Sequence, residues 1–322
     1  MNNEPVRYLA LLVLLLYPLQ VHAENPHHNL IAENVRNIVF SSPYKMNYTS
    51  AKLQIDALID PSTNVGATVD TLDEMSGTVR KMLTTIPIEE ADKSVERLRA
   101  LKAFLYQPGH WNSFEPFQYD LNDPFGERIE NKLLATYLET RQGNCVSMPI
   151  LLLVLGERLD LDLTLSTAPL HVLVKYTDDG TGKTYNLEAT SGAGFTRDTW
   201  YQKKSPMSEV AIKNGVYLKK LSRRETLAVM ATTVLEFLLE QDQREEAIAV
   251  ADVLLEAFPT HAYAMVKKGT AYYHLLNENI LEPFPDPKSI PKELRPLADF
   301  CYNQNQMAFQ KAEALGWQMP PD

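Results

Sequence analysis

The chain predicts an α+β core with helices and a small antiparallel sheet, followed by an α-helical segment. Three observations carry this. Helical apolar spacing dominates the residues before a long loop near 106, strict alternation takes over between Leu161 and Ala189, and helical spacing returns from Arg224. The roughly 300 residues left after an N-terminal leader exceed one ordinary core, so two domains are expected, at 48–218 and 222–322.

The leader is read from Met1 to Arg7, an apolar stretch from Tyr8 to Tyr17, and Pro18-Leu19-Gln20-Val21-His22-Ala23. Spanning a bilayer takes about 20 apolar residues, so this order reads as a secretory signal at 1–23 with cleavage after Ala23. The expected location is periplasmic or secreted. Membrane contact is expected only if this segment stays uncleaved. A net charge of -10 without a basic cluster argues against a nucleic-acid partner. In an exported chain two cysteines would first suggest a Cys145 to Cys301 disulfide, but their contexts differ too much to favour it. Residues 24–47 read as a polar, aperiodic segment. His27 and His28 are adjacent there, and no Cys or His pair elsewhere has metal-ligand spacing, so neither metal nor cofactor is expected.

The elements then follow in order. Val69, Leu72, Met75, Val79, Met82 and Leu83 share a helical face, as do Val95, Leu98, Leu101, Phe104 and Leu105. The next stretch, YQPGHWNSFEPFQYDLNDPFGE, is long enough to form a cleft wall. Ile129 to Glu139 reads as a further helix ending near Arg141-Gln142-Gly143. Val146 to Leu159 is apolar on nearly every face, as a helix buried on all sides would be. Pro149 is tolerated only in a first helical turn, so helix entry lies around Asn144 to Ser147 with Asn144 available as the cap. Cys145 therefore sits at a helix N-terminus.

Alternation of Leu161, Leu163 and Leu165, then of Leu170, Val172, Val174 and Tyr176, then of Tyr185, Leu187 and Ala189 gives strands with at least one hairpin. Beyond Arg224, Pro259 fits the closing position of a 34-residue tetratricopeptide repeat. That register puts Ala247 at a small-residue position and gives Gly269 and Tyr272 in the next unit. An insertion with Pro283, Pro285, Pro287, Pro291 and Pro296 precedes a closing helix at Leu297 to Leu315.

A thiol attacks as its thiolate, which at a reference pKa near 8.5 is a few per cent of the population at neutral pH, so a reactive cysteine needs help. Aligned amides at a helix N-terminus supply part of it, worth roughly 0.3 to 1 kcal/mol. Among His27, His28, His110, His171, His261 and His274, His171 is set apart as the lone polar residue opening an alternating strand. A four-residue loop, Asp178 to Thr181, would pair Thr177 with Gly182, Lys175 with Thr184, Leu173 with Asn186 and His171 with Glu188. Opposed residues have Cβ atoms about 5 Å apart, close enough for a carboxylate to fix an imidazole. Cys145, His171 and Glu188 would then be nucleophile, base and orienter. Each has a bland alternative: a buried core thiol, a hydrogen-bonded strand histidine, a solvated hairpin glutamate.

TRQGNCVSMPILLLVLGERLDLDL, APLHVLVKY and YNLEATSG together resemble the transglutaminase-like superfamily of papain-type cysteine enzymes. They are more closely similar to a bacterial branch, once labelled as invasion-gene regulators, in which this core precedes tetratricopeptide repeats. The resemblance covers roughly residues 50 to 315 and implies a papain-like core followed by a repeat domain, with catalytic Cys145, His171 and Glu188. The superfamily usually has aspartate at the third position. Many members of the branch lack the cysteine, whereas this chain retains it. The implied chemistry is attack on an amide carbonyl to give a thioester, resolved by water or an amine. The oxyanion would take the Cys145 amide and a second donor, for which Trp111, Gln118 and Gln142 are candidates. The function expected is an exported cysteine amidohydrolase or peptidase acting on a peptide or protein substrate, with a transamidating acyltransferase ranked below it. A protein partner is expected through the repeats, and a silent scaffold is the competing reading.

Overall fold

The computed structural model describes residues 28–91, 93–205 and 207–319, so the expected leader at 1–23 and His27 lie outside it. Helices α1 (His28–Val39), α2 (Tyr48–Ala57), α3 (Val65–Leu83) and α4 (Ser94–Tyr106) come first. Then come β1 (Gln118–Tyr119), α5 (Leu134–Thr140), β2 (Gln142–Gly143) and α6 (Ser147–Arg158). The main sheet comprises β3 (Asp162–Ala168), β4 (His171–Thr177), β5 (Thr184–Glu188) and β6 (Gly194–Thr196). After it run α7 (Asp198–Lys204), α8 (Arg223–Glu240), α9 (Arg244–Ala257), α10 (Ala262–Leu276) and α11 (Arg295–Ala314). The mixture of helices with small sheets is the α+β class the sequence predicts.

The centre of the core is α6. Every residue from Ser147 to Gly156 is buried, because α2 to α5 pack around it and β3 and β4 cover the rest. An all-apolar helix loses its hydration on every face only in such a position.

Two expectations fail in this half. The polar segment at 24–47 holds α1, whose Ala32, Val35, Ile38 and Val39 are buried and which packs on α8 and α9. Ile31, Val35, Ile38 and Val39 have helical spacing, a local signal that the aperiodic reading of this segment passed over. The helix expected from Ile129 to Glu139 is broken: a 3-10 turn at Ile129–Lys132 ends at Leu133 in extended backbone, and α5 begins after it. The cause is α2. Its buried Lys52 donates to the Lys132 carbonyl (2.9 Å), and Asp56 accepts the Leu134 amide (2.9 Å), so these two backbone groups bond to side chains at the break. Lys52 and Asp56 also pair at 2.6 Å, fully buried.

The four strands pair in the order β3-β4-β5-β6, all antiparallel. Val174, Tyr176 and Leu187 face the main core, while Leu173 and Ala168 pack on the other side against Tyr201, Ala262, Met265 and Trp317. The free edge of β3 is covered by the following chain, Leu218 and Leu221 donating to the Thr167 and Leu165 carbonyls.

The β4–β5 register differs from the expected one by two residues. Thr177 pairs with Thr184, Tyr176 with Tyr185, Lys175 with Asn186 and Val174 with Leu187. The loop is Asp178 to Lys183 rather than Asp178 to Thr181, because Gly182 takes a left-handed φ of 66° and its amide bonds the Asp178 carbonyl (2.8 Å). A shift of two keeps every side chain on its face, whereas a shift of one would invert them all.

Consecutive C-terminal helices pack on one another, α8 on α9, α9 on α10 and α10 on α11. Ala247 is fully buried, and at Gly269 an added Cβ would come within 2.9 Å of the Phe309 ring on α11. Tyr272 meets Phe300 edge to face at 5.8 Å. The main buried cluster is continuous from α1 through α6 to Ala271 of α10, so these helices share the interior of the core. Among the described residues no helix is long and apolar enough to cross a membrane.

Candidate active site

The segment entering α6 is held by Asn144, whose side-chain oxygen accepts the Val146 and Ser147 amides, both at 3.0 Å. Its amide nitrogen donates to the Asn131 carbonyl (3.0 Å). Such a cap stabilises a helix by about 1 kcal/mol. Gly143 before it is a steric requirement, since a Cβ there would lie 2.4 Å from the Tyr137 ring. Cys145 is thus placed immediately before the first turn of α6, as Pro149 predicts. Its sulfur lies 3.7 Å from the Leu170 carbonyl oxygen and 4.0 Å from that of Phe125. It is not bridged to Cys301, and both thiols are free and buried, Cys145 at the cavity that His171 also lines.

The His171 imidazole and the Cys145 thiol line the same cavity, and His171 Nε2 is 2.9 Å from Glu188 Oε2. Burial alone would lower the imidazole pKa; the neighbouring Cys145 and the bonded Glu188 carboxylate outweigh it and raise it to about 9. Burial alone would raise the Glu188 pKa, but the donors around it hold it below the usual carboxylate value. Those donors are His171, Thr190 and Tyr201. Thr190 gives Oε1 its hydroxyl (2.6 Å) and amide (3.2 Å), and the Tyr201 hydroxyl donates to Oε2 (2.9 Å). A thiol beside an imidazole oriented by a carboxylate can pass its proton to the ring and attack a carbonyl carbon.

The expected geometry of this trio needs one correction. His171 does not oppose Glu188. Continuing the observed register sets Glu188 beside Leu173, and His171 reaches it along the diagonal. Diagonal neighbours are about 7–8 Å apart, a span that favours the longer glutamate over aspartate.

The expected oxyanion donors are not assembled. The Cys145 amide donates to the Pro124 carbonyl (3.1 Å), which also accepts the Tyr119 hydroxyl (3.2 Å). Trp111 Nε1 is directed at the Ala103 and Gln107 carbonyls (3.1 and 3.3 Å), and Phe117 packs edge to face on Tyr137 at 5.2 Å. Gln118 and Gln142 are exposed and do not line the cavity in front of Cys145. Of the other histidines, His110 meets Phe114 edge to face at 4.7 Å, and His261 is buried against the Thr232 hydroxyl (3.1 Å), with burial lowering its pKa to about 4. Among the described residues no group of three His, Cys, Asp or Glu side chains could hold a metal ion.

The sequence model of the transglutaminase-like superfamily matches residues 67–232, just over half of the chain and all of the strands and helices that carry Cys145, His171 and Glu188. The chain belongs to the transglutaminase-like superfamily. It is similar to Protein SirB1 of Salmonella typhimurium, 26% identical over 189 residues, which are 58% of this chain and 66% of that protein. A UPF0162 protein of Buchnera aphidicola is also 26% identical, over 141 residues, 43% of this chain and 51% of the relative. The chain therefore spans just under two thirds of the first relative's length and about half of the other's. No solved structure gives a significant match.

In front of the sulfur this superfamily member has a cavity of about 710 Å³ between the transglutaminase-like core and the C-terminal helices. Phe125, Leu170, Cys145 and His171 line one part, and Val229, Glu236, His261 and Tyr263 another. Leu170 occupies a φ of 52° in the two-residue turn between β3 and β4, where Ala168 pairs with His171. A bulky residue there costs roughly 1–2 kcal/mol. Sequence reading missed Tyr201, Thr190 and Leu170. A hydroxyl two residues after Glu188 was a usable signal for Thr190. Tyr201 carried none, since only folding brings α7 under β5. There, Asp198 accepts from Lys175 (3.4 Å) and Asn186 (2.7 Å).

Proposed function

We propose that this chain is a thiol amidohydrolase or peptidase, acting in the bacterial periplasm on a peptide-like substrate. The observation that supports it best is an imidazole that lines one cavity with a helix-entry thiol and bonds a carboxylate held by three further hydrogen bonds. In this reading the Cys145 sulfur bonds to the amide carbon as its proton passes to His171. The tetrahedral adduct then collapses, the C–N bond breaks, and the amine leaves with that proton. Water, deprotonated by His171, cleaves the thioester and returns the free thiol. Glu188 keeps the ring oriented and stabilises the imidazolium. Water as acceptor ranks above an amine because nothing in the cavity marks an acceptor subsite. The C-terminal helices, read as a short tetratricopeptide-like module, form the far wall of the cavity and would present substrate or a protein partner.

A second reading, a silent scaffold binding a partner through the C-terminal helices, is favoured by the Cys145 amide being taken by Pro124. Turnover requires that loop to release the amide to the oxyanion, a contact whose loss typically costs about 100- to 1000-fold. Incubation with a library of peptide amides, with and without an added primary amine, separates the readings by mass. Products gaining water, absent with Cys145→Ala and with His171→Ala, support hydrolysis. Amine adducts would move the assignment to transamidation, and no product from the intact chain would leave the scaffold.

A further inference from the structure

The two residues whose carbonyls face the sulfur also expose large apolar side chains beside it. Phe125 is 58% exposed and Leu170 is 53% exposed, and both line the cavity that holds Cys145 and His171. They come from unrelated parts of the chain, one from the long loop before α5 and the other from the β3–β4 turn. Neither exposure serves burial, and Leu170 adds backbone strain to it. Pro169 fixes the first turn position near −65°, and a second position with positive φ is where glycine or asparagine ordinarily sits. A leucine held there against local preference points to a use for its side chain. Behind the pair the wall continues apolar through Val146, Val172, Val216 and Val229. Of the charges lining the cavity, Lys132 pairs with Glu236 at 2.7 Å and Tyr263 donates to the same carboxylate at 2.5 Å, while Glu127, Glu240 and Lys267 also lie in the lining.

We infer that Leu170 and Phe125 are the apolar lips of this site and select a substrate with a bulky aliphatic or aromatic group next to the carbonyl that Cys145 attacks. This rests on the thiol-enzyme reading above and adds the substrate class. Removing water from such a group against the lips and the valine wall discriminates it from a small polar one by roughly tenfold or more.

The test uses the full chain and two peptidyl electrophiles that differ only in leucine or serine beside the reactive carbon, with second-order labelling rates of Cys145 read by mass. The expected result is a leucine-to-serine rate ratio of about ten or more for the intact protein. In Leu170→Asn that ratio falls at least about fivefold, while the melting temperature holds or rises because asparagine tolerates the turn. Phe125→Ser, at an exposed position, lowers the ratio independently should Leu170→Asn fold poorly. A ratio near one in the intact protein, or one unchanged in both variants, overturns the inference. Labelling of the intact protein by neither probe, with iodoacetamide still modifying Cys145 in a His171-dependent way, also overturns it and leaves the nucleophile reading standing. Iodoacetamide modification that ignores His171 removes that reading and the inference together.

Discussion

His171 Nε2 and Glu188 Oε2 stand 2.9 Å apart although their residues are diagonal neighbours in the β4–β5 hairpin, a separation that the glutamate side chain spans. Shortening that side chain should break the contact. In Glu188→Asp the imidazole loses a principal cause of its raised pKa, so an NMR titration of His171 should fall from about 9 toward the ordinary 6.5. Glu188→Gln should do the same by removing the charge. A Glu188→Asp titration that stays near 9 would mean that register is unimportant here.

The same pair predicts how stability changes with pH. A histidine raised from 6.5 to about 9 stabilises the fold fully below 6.5, and that contribution is lost as pH rises through 9. Glu188, lowered from 4.5, contributes above that value and loses its contribution in acid. The stability gap between the intact chain and His171→Asn, measured by urea unfolding, should therefore be widest between about pH 5 and 6.5 and small at pH 10.

Tyr201 supports the carboxylate from below and is itself buried. Tyr201→Phe keeps the ring and deletes one donor, so the expected loss is about 1 kcal/mol of stability. Turnover should fall about tenfold through a less ordered Glu188, read as kcat with KM little changed.

Much of this was legible along the chain because local rules governed it. Pro149 and Asn144 located the start of α6, and alternation located β3 to β5, so Cys145, His171 and Glu188 could be picked out together as candidates. The face of Glu188 was right even though its register was wrong, since a two-residue error leaves period-two alternation intact. What escaped depended on contacts distant in sequence. The break before α5 is made by Lys52 and Asp56, the occupation of the Cys145 amide by Pro124, and the hydroxyl on Glu188 by Tyr201. None of these is encoded in the segment it changes. The helix α1 is a different case, since Ile31, Val35, Ile38 and Val39 carry helical spacing within the segment itself and its signal was local.

Cys301 offers an internal control for thiol chemistry. Both thiols are buried, but Cys145 lines the cavity with His171, whereas Cys301 lies at the α10–α11 contact, where burial, with Glu245 adding to it, raises its pKa. At neutral pH it should resist alkylation until the chain unfolds, so peptide mapping of modified protein should find the label on Cys145.

The most direct test of the central claim is the rate of iodoacetamide modification of Cys145 at pH 7, compared between the intact chain and His171→Ala. An imidazole that takes the thiol proton predicts a fall of at least about tenfold in the variant. Equal rates in the two proteins, both folded, would contradict the account.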